Sequence, residues 1–117
     1  FVDDLPLLDT LALGGNPIGD FTPIEGLEQL VELDLAETGL ASVAFLDDFL
    51  ELELLDVAHN AITDVGPLVA NSGLAEGDDV AIEGNLLDLE DPGVAADIQA
   101  LLDRGVELEY EPQQALP

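Results

Sequence analysis

The sequence predicts an α/β solenoid. A curved parallel β-sheet would line the concave side, turns or 3₁₀ segments the convex side, and a helix-strand cap would close the C-terminal end. Three observations lead there. The string Leu8-x-x-Leu11-x-Leu13-x-x-Asn16-x-Ile18 recurs as Leu30-x-x-Leu33-x-Leu35-x-x-Thr38-x-Leu40 and as Leu52-x-x-Leu55-x-Val57-x-x-Asn60-x-Ile62, each copy 22 residues after the last. Inside each copy the apolar period switches from two to three. After the last copy the repeat gives way to a helical pattern and then to strict alternation. A fixed period of this length marks stacked units that bury their apolar face only against their neighbours.

Each copy opens with a short alternating stretch, Leu11-Ala12-Leu13, Leu33-Asp34-Leu35 or Leu55-Asp56-Val57. That is the pattern of a strand with one buried face. The apolar positions then fall at every third residue: Ile18, Phe21, Ile24, Leu27, Leu30; then Leu40, Val43, Leu46, Phe49, Leu52; then Ile62, Val65, Leu68. Tight turns or 3₁₀ segments have three residues per turn and would aim all of these inward. Asp20, Ser42 and Asp64 occupy equivalent places and are short acceptors suited to a turn or helix start. Pro23 and Pro67 follow two of them, where a fixed φ is useful and no N–H is needed.

A fourth copy, Val80-x-Ile82-x-x-Asn85-x-Leu87, places its Asn 25 residues after Asn60 rather than 22, so an outward loop is expected near Ala75 to Asp79. Asp91-Pro92 then supplies an N-cap and an N1 proline, Val94, Ile98, Leu101 and Leu102 an apolar stripe, and Gly105 a stop. Val106, Leu108 and Tyr110 alternate with Glu107, Glu109 and Glu111 as a last strand. Helix and acidic strand would cover the end of the core and guard the sheet edge. The domain reading is therefore residues 1–90 as an array of about four repeats with the first truncated, 91–112 as the cap, and 113–117 as tail or linker. Val2, Leu5 and Leu8 precede Ile24, Leu27 and Leu30 by 22 residues, which reads as the back half of a repeat in a longer array.

Charge limits the partners. The 117 residues carry 27 acidic side chains against one base, Arg104, for a net charge of −26, yet 48% are hydrophobic, which argues against disorder. With no Lys there is no basic patch for a phosphate backbone or an anionic membrane surface, so nucleic acid is excluded as a partner. No apolar run reaches the ~18 residues of a transmembrane helix, so membrane insertion is not expected. Without cysteines there are no disulfides, thiolate ligands or thiol nucleophiles. A folded chain of this mass exposes roughly 6,000 Å², leaving about 15 Å between neighbouring carboxylates. Their repulsion is muted at physiological ionic strength, where the screening length is about 8 Å, and grows as salt is removed.

The segments Asn16-Pro17-Ile18-Gly19-Asp20-Phe21-Thr22-Pro23-Ile24 and Asn60-Ala61-Ile62-Thr63-Asp64-Val65-Gly66-Pro67-Leu68 resemble the repeat core of bacterial leucine-rich repeat proteins of the short 22-residue class, to which the internalins belong. The stretch Gly77 to Asn85, with Asp97 to Leu102 and Arg104-Gly105-Val106, is similar to the closing repeat and cap of many members. Thr38 departs from the usual Asn, and Leu86 stands where many relatives carry proline. The resemblance implies a protein-binding scaffold whose partner is set by exposed residues.

No catalytic set emerges, and no cofactor is implied. Asn16, Asn60 and Asn85 read as structural, their amides bonding backbone at each bend. His59, the sole histidine, would stand near Asp56 as a possible base, but a nucleophile is wanting, and the chain reads as not an enzyme. The outward strand positions attract more attention, because Glu32, Asp34, Leu54, Asp56, Asp79, Glu83 and Glu107 are expected on the concave face, with Leu54 beside Asp34 and Asp56. This face fits a basic protein or peptide partner, with Leu54 as apolar anchor. Ala12, Ala36, Ala58 and Ala81 would leave it smooth. A solvated surface adapted to saline conditions, in a spacer or stalk segment of a cell-surface protein, is the alternative. A Ca²⁺ site is a third reading, although Asp78-Asp79 alone supplies few ligands and no Asp-x-Asp-x-Asp-Gly loop occurs. An extracellular or cell-surface location is expected, with the cytoplasm of a halophile as alternative.

Overall fold

A computed structural model describes residues 9–114 of the chain. Among these residues, five short strands form one parallel sheet: β1 (Thr10–Ala12), β2 (Glu32–Asp34), β3 (Leu54–Asp56), β4 (Asp79–Ala81) and β5 (Glu107–Glu109), paired in chain order. Each strand sits one residue earlier than the alternating triplets suggest, but the faces are as expected. Leu33 and Leu35, Leu55 and Val57, and Val80 and Ile82 are buried. The strands turn back through a layer made of α1 (Thr22–Glu25), a 3₁₀ turn (Ala44–Asp48) and α2 (Gly66–Ala70). The convex side thus mixes α and 3₁₀ turns, and the two α turns are those that carry Pro23 and Pro67. Every third apolar residue still points inward, with Leu30, Leu46, Phe49 and Leu68 fully buried.

Backbone pairing outlasts the strands. Leu35 N donates to Asp56 O at 2.7 Å and Glu37 N to Ala58 O at 3.1 Å; Val57 N donates to Ala81 O at 3.0 Å and His59 N to Glu83 O at 2.9 Å. The chain then bends at Glu37 and His59, which hold positive φ of 56° and 58°, and at Gly15 and Gly84 in the equivalent places. Just beyond the bend, Asn60 and Asn85 stitch the rungs together. Asn60 Nδ2 donates to Leu35 O and Val57 O, and Asn85 Nδ2 to Val57 O and Ile82 O. Asp20, Ser42 and Asp64 each accept from the backbone N–H two residues on, at 2.9, 3.1 and 2.8 Å.

The extra residues turn outward where expected: Ala75, Glu76 and Gly77 are exposed, and Gly77 N donates to Gly105 O. Helix α3 (Pro92–Asp103) starts with Asp91 accepting from Gly93 N and buries Val94, Ile98 and Leu101. Beyond β5 the ladder continues through glutamines assigned above to the tail. Gln113 Nε2 donates to Ile82 O and Tyr110 O, repeating one rung later the bonds that Asn85 makes to Val57 and Ile82. Gln114 Nε2 reaches Asn60 O and Gly84 O. Residues 113 and 114 therefore complete the last rung. Positions 115–117, like the half-repeat expected at Val2, Leu5 and Leu8, lie outside the described residues.

The single base binds backbone. Arg104 donates to the carbonyls of Val69 and Asn71 at the C-terminal end of α2. A cation there satisfies carbonyls that the helix leaves open. One arginine against 27 carboxylates leaves the charge almost unbalanced, so melting temperature is expected to rise with added NaCl as screening shortens their repulsion. Thermal melts across a salt series check this, and a salt-independent midpoint contradicts it.

Candidate functional site: the open face of the sheet

The register sorts the outward side chains into two rows that run across the strands. Thr10, Glu32, Leu54, Asp79 and Glu107 form the first row, and Ala12, Asp34, Asp56, Ala81 and Glu109 the second. Adjacent parallel strands bring row neighbours to about 4.8 Å. Leu54 is 39% exposed, as the sequence suggests, but its row neighbours are Glu32 and Asp79 rather than Asp34 and Asp56. The difference arises because Asp34 and Asp56 lie two residues further along their strands.

The expected site residues separate by environment. Glu32, Leu54, Asp79 and Glu107 stand exposed in the first row. Asp34 and Asp56 are half-buried row neighbours, and each also serves the fold: Asp34 Oδ1 accepts from Ala36 N and Asp56 Oδ1 from Ala58 N, both at 3.0 Å. These bonds start the bend that leads to Glu37 and His59. Glu83 lies past the end of β4, at the place held by Ala36 and Ala58 in earlier rungs, and its half-buried carboxylate leaves Oε1 without a hydrogen-bond partner among the described residues. His59 is exposed and its ring covers Gly84, where a Cβ would collide with it. The buried Asn71 was not singled out by the repeat pattern. Its amide bonds Leu46 O and Phe49 O, tying the back of one rung to the next. The signal for it is weak, because no other copy carries Asn at that place.

Between β3, β4 and β5 the face sinks into a hollow of about 280 Å³. Ala81 supplies a short side chain in the second row, between Asp56 and Glu109, and so opens the floor. Leu54 stands at one corner, and Asp79 and Glu107 lie together along the rim. The hydrogen bond between these two carboxyls, followed by the negative charge of Asp79, raises the pKa of Glu107 above its ordinary value. Since the folded state holds this proton more tightly than the unfolded chain, the repulsion opposes folding at neutral pH and is relieved as pH falls through the raised value. Glu107→Gln is accordingly expected to raise the melting temperature at pH 7 and to flatten the gain seen on acidification. Unchanged melts at both pH values contradict this. Asp20 has the opposite sense. Its bonds from Thr22 lower its pKa, and its contribution is lost as pH falls through that lowered value.

Among the described residues no group of three or more His, Asp or Glu side chains is arranged to hold a metal ion, and no helix is long and apolar enough to cross a membrane.

No family model and no curated protein matches the sequence. Solved structures do match the fold. An internalin from Listeria monocytogenes superposes with a TM-score of 0.75 at 25% identity, over 97% of this chain and 32% of that one. Internalin C2 from the same organism gives 0.72 at 24% identity, over 98% of this chain and 48% of its own length. A leucine-rich repeat protein from Leptospira interrogans gives 0.76 at 23% identity, over 97% of this chain and 28% of its own. The chain thus spans less than half the length of each of these structures. Over nearly its whole length the chain therefore has the fold of these proteins, a leucine-rich repeat solenoid with stacked parallel strands.

Proposed function

We propose that the chain is a non-catalytic protein–protein interaction module, part of a larger surface or secreted protein, that engages a basic protein or peptide on its concave face. The observation that carries this reading is Leu54, an exposed apolar side chain set in register between Glu32 and Asp79 on a sheet face whose other outward residues are mostly acidic. An apolar anchor ringed by charge is the usual make-up of an interface centre and rim. The acidic rows would speed encounter with a basic surface, and the short side chains of Ala12 and Ala81 permit close approach. Selection of a random-peptide display library on the immobilised chain should recover peptides with basic residues around an apolar one. Leu54→Glu combined with Asp56→Lys should weaken them about tenfold or more. Equal retention by both proteins contradicts the proposal.

One observation favours a second reading, a spacer segment whose charge serves solubility in saline surroundings. Acidic residues are exposed on the back and ends as well, among them Glu25, Glu28, Asp48, Glu51, Glu90 and Asp103. Under that reading the substitutions on the concave face leave every binding measurement unchanged.

A further inference from the structure

Building on the concave-face reading, we propose that the hollow between β3, β4 and β5 is a subsite for one arginine side chain of a protein partner. The hollow exists because Ala81 interrupts the second row, where Asp34 and Asp56 stand in the preceding rungs. Its floor is therefore a methyl group, and its corner is the side chain of Leu54, exposed where the preceding rung carries Glu32. Its rim carries Asp56, Asp79, Glu107 and Glu109. An apolar floor inside an acidic rim matches a side chain with an aliphatic stem and a cationic head.

The counter-charge for this rim has to come from outside the chain. The one arginine of the sequence is held at the end of α2 by the carbonyls of Val69 and Asn71. Asp79 and Glu107 meanwhile are register partners on adjacent strands, so a cation between them replaces repulsion by attraction. Arginine fits better than lysine. Its planar fork can bridge carboxylates on two strands about 4.8 Å apart, and its weaker hydration lowers the cost of leaving water for a half-enclosed hollow.

N-acetyl-arginine amide and N-acetyl-lysine amide are the probes, titrated into the isotope-labelled chain at constant ionic strength and followed by NMR. Arginine should give saturating shifts centred on the Leu54 methyls and the amides of Ala81 and Glu109, with an affinity several-fold above that of lysine. Asp79→Asn together with Glu107→Gln should abolish saturation, whereas Glu25→Gln on the back layer should leave it intact; all three side chains are exposed and their neutral isosteres keep the fold. Non-saturating shifts spread over every face, or equal affinities for the two probes, overturn the arginine assignment. A display-selected peptide that loses binding to Leu54→Glu yet binds the Asp79→Asn, Glu107→Gln protein unchanged overturns this subsite and leaves the interaction module standing. Peptides indifferent to Leu54→Glu sink both.

Discussion

Asn60→Ala is expected to remove about 4 kcal/mol of unfolding free energy, a large part of the ~5–15 kcal/mol typical of a domain. The figure follows from what each partner would lose. Asn60 Oδ1 accepts from the backbone N–H groups of Thr38, Gly39 and Leu40, at 2.9, 2.9 and 3.1 Å. Thr38 and Leu40 are only 1% and 2% exposed, so water cannot substitute for the amide oxygen there. The carbonyls fare better, because Val57 O keeps Asn85 and Leu35 O keeps the Thr38 hydroxyl. Two stranded buried donors at about 1–3 kcal/mol each set the loss. Asn16→Ala is the control: Asn16 is exposed and, among the described residues, its side chain bonds Leu13 O and Gly14 O, so its loss should stay within about 1 kcal/mol. Urea unfolding of the three proteins decides the matter, and equal midpoints for the two variants would contradict the ladder's role.

Phe49→Ala should cost about 3–5 kcal/mol, the range for emptying a buried aromatic site. Phe49 is fully buried where the 3₁₀ turn ends, its ring edge-on to Phe45 at 5.7 Å and 76°. Its carbonyl accepts from Asn71, so the backbone around the cavity is pinned and has little freedom to collapse into it. The adjacent Leu50 is 50% exposed, and Leu50→Ala should shift stability by no more than about 0.5 kcal/mol. If the two substitutions proved equally mild in urea unfolding, the back layer would not share the core of the sheet.

Much of this architecture is legible because a 22-residue period makes each rung a copy of the last. The buried set at Leu33, Leu35, Leu46, Leu52, Leu55 and Leu68 follows from spacing alone, as do the turn acceptors Asp20, Ser42 and Asp64. What the pattern hides are features that occur once. Gln113 does the work of an Asn, but with a longer side chain and outside the repeat spacing, so it reads as tail. Arg104 and Asn71 act through backbone carbonyls on elements distant in sequence, and no local motif announces such contacts. At the site, the inward or outward sense of each side chain is legible from alternation. Which outward residues become neighbours depends on register, and this places Leu54 with Asp79 and moves Glu83 off the strand. The hollow itself arises from one small residue, Ala81, visible as a position but not as a cavity.

The central claim is that successive coils stack in fixed register, so that Glu32, Leu54 and Asp79 share one outward row. The natural chain has no cysteine, which makes a disulfide a clean reporter. Glu32→Cys with Leu54→Cys places two thiols on register partners, about 4.8 Å apart and within the Cα range a disulfide can span. Glu32→Cys with Asp56→Cys offsets them by two residues along the strand, beyond about 7 Å. Mild oxidation of the monomer, read by intact mass, should close the first pair and leave the second reduced. Closure of the second pair in preference to the first would contradict the register, and with it the face on which the proposed function rests.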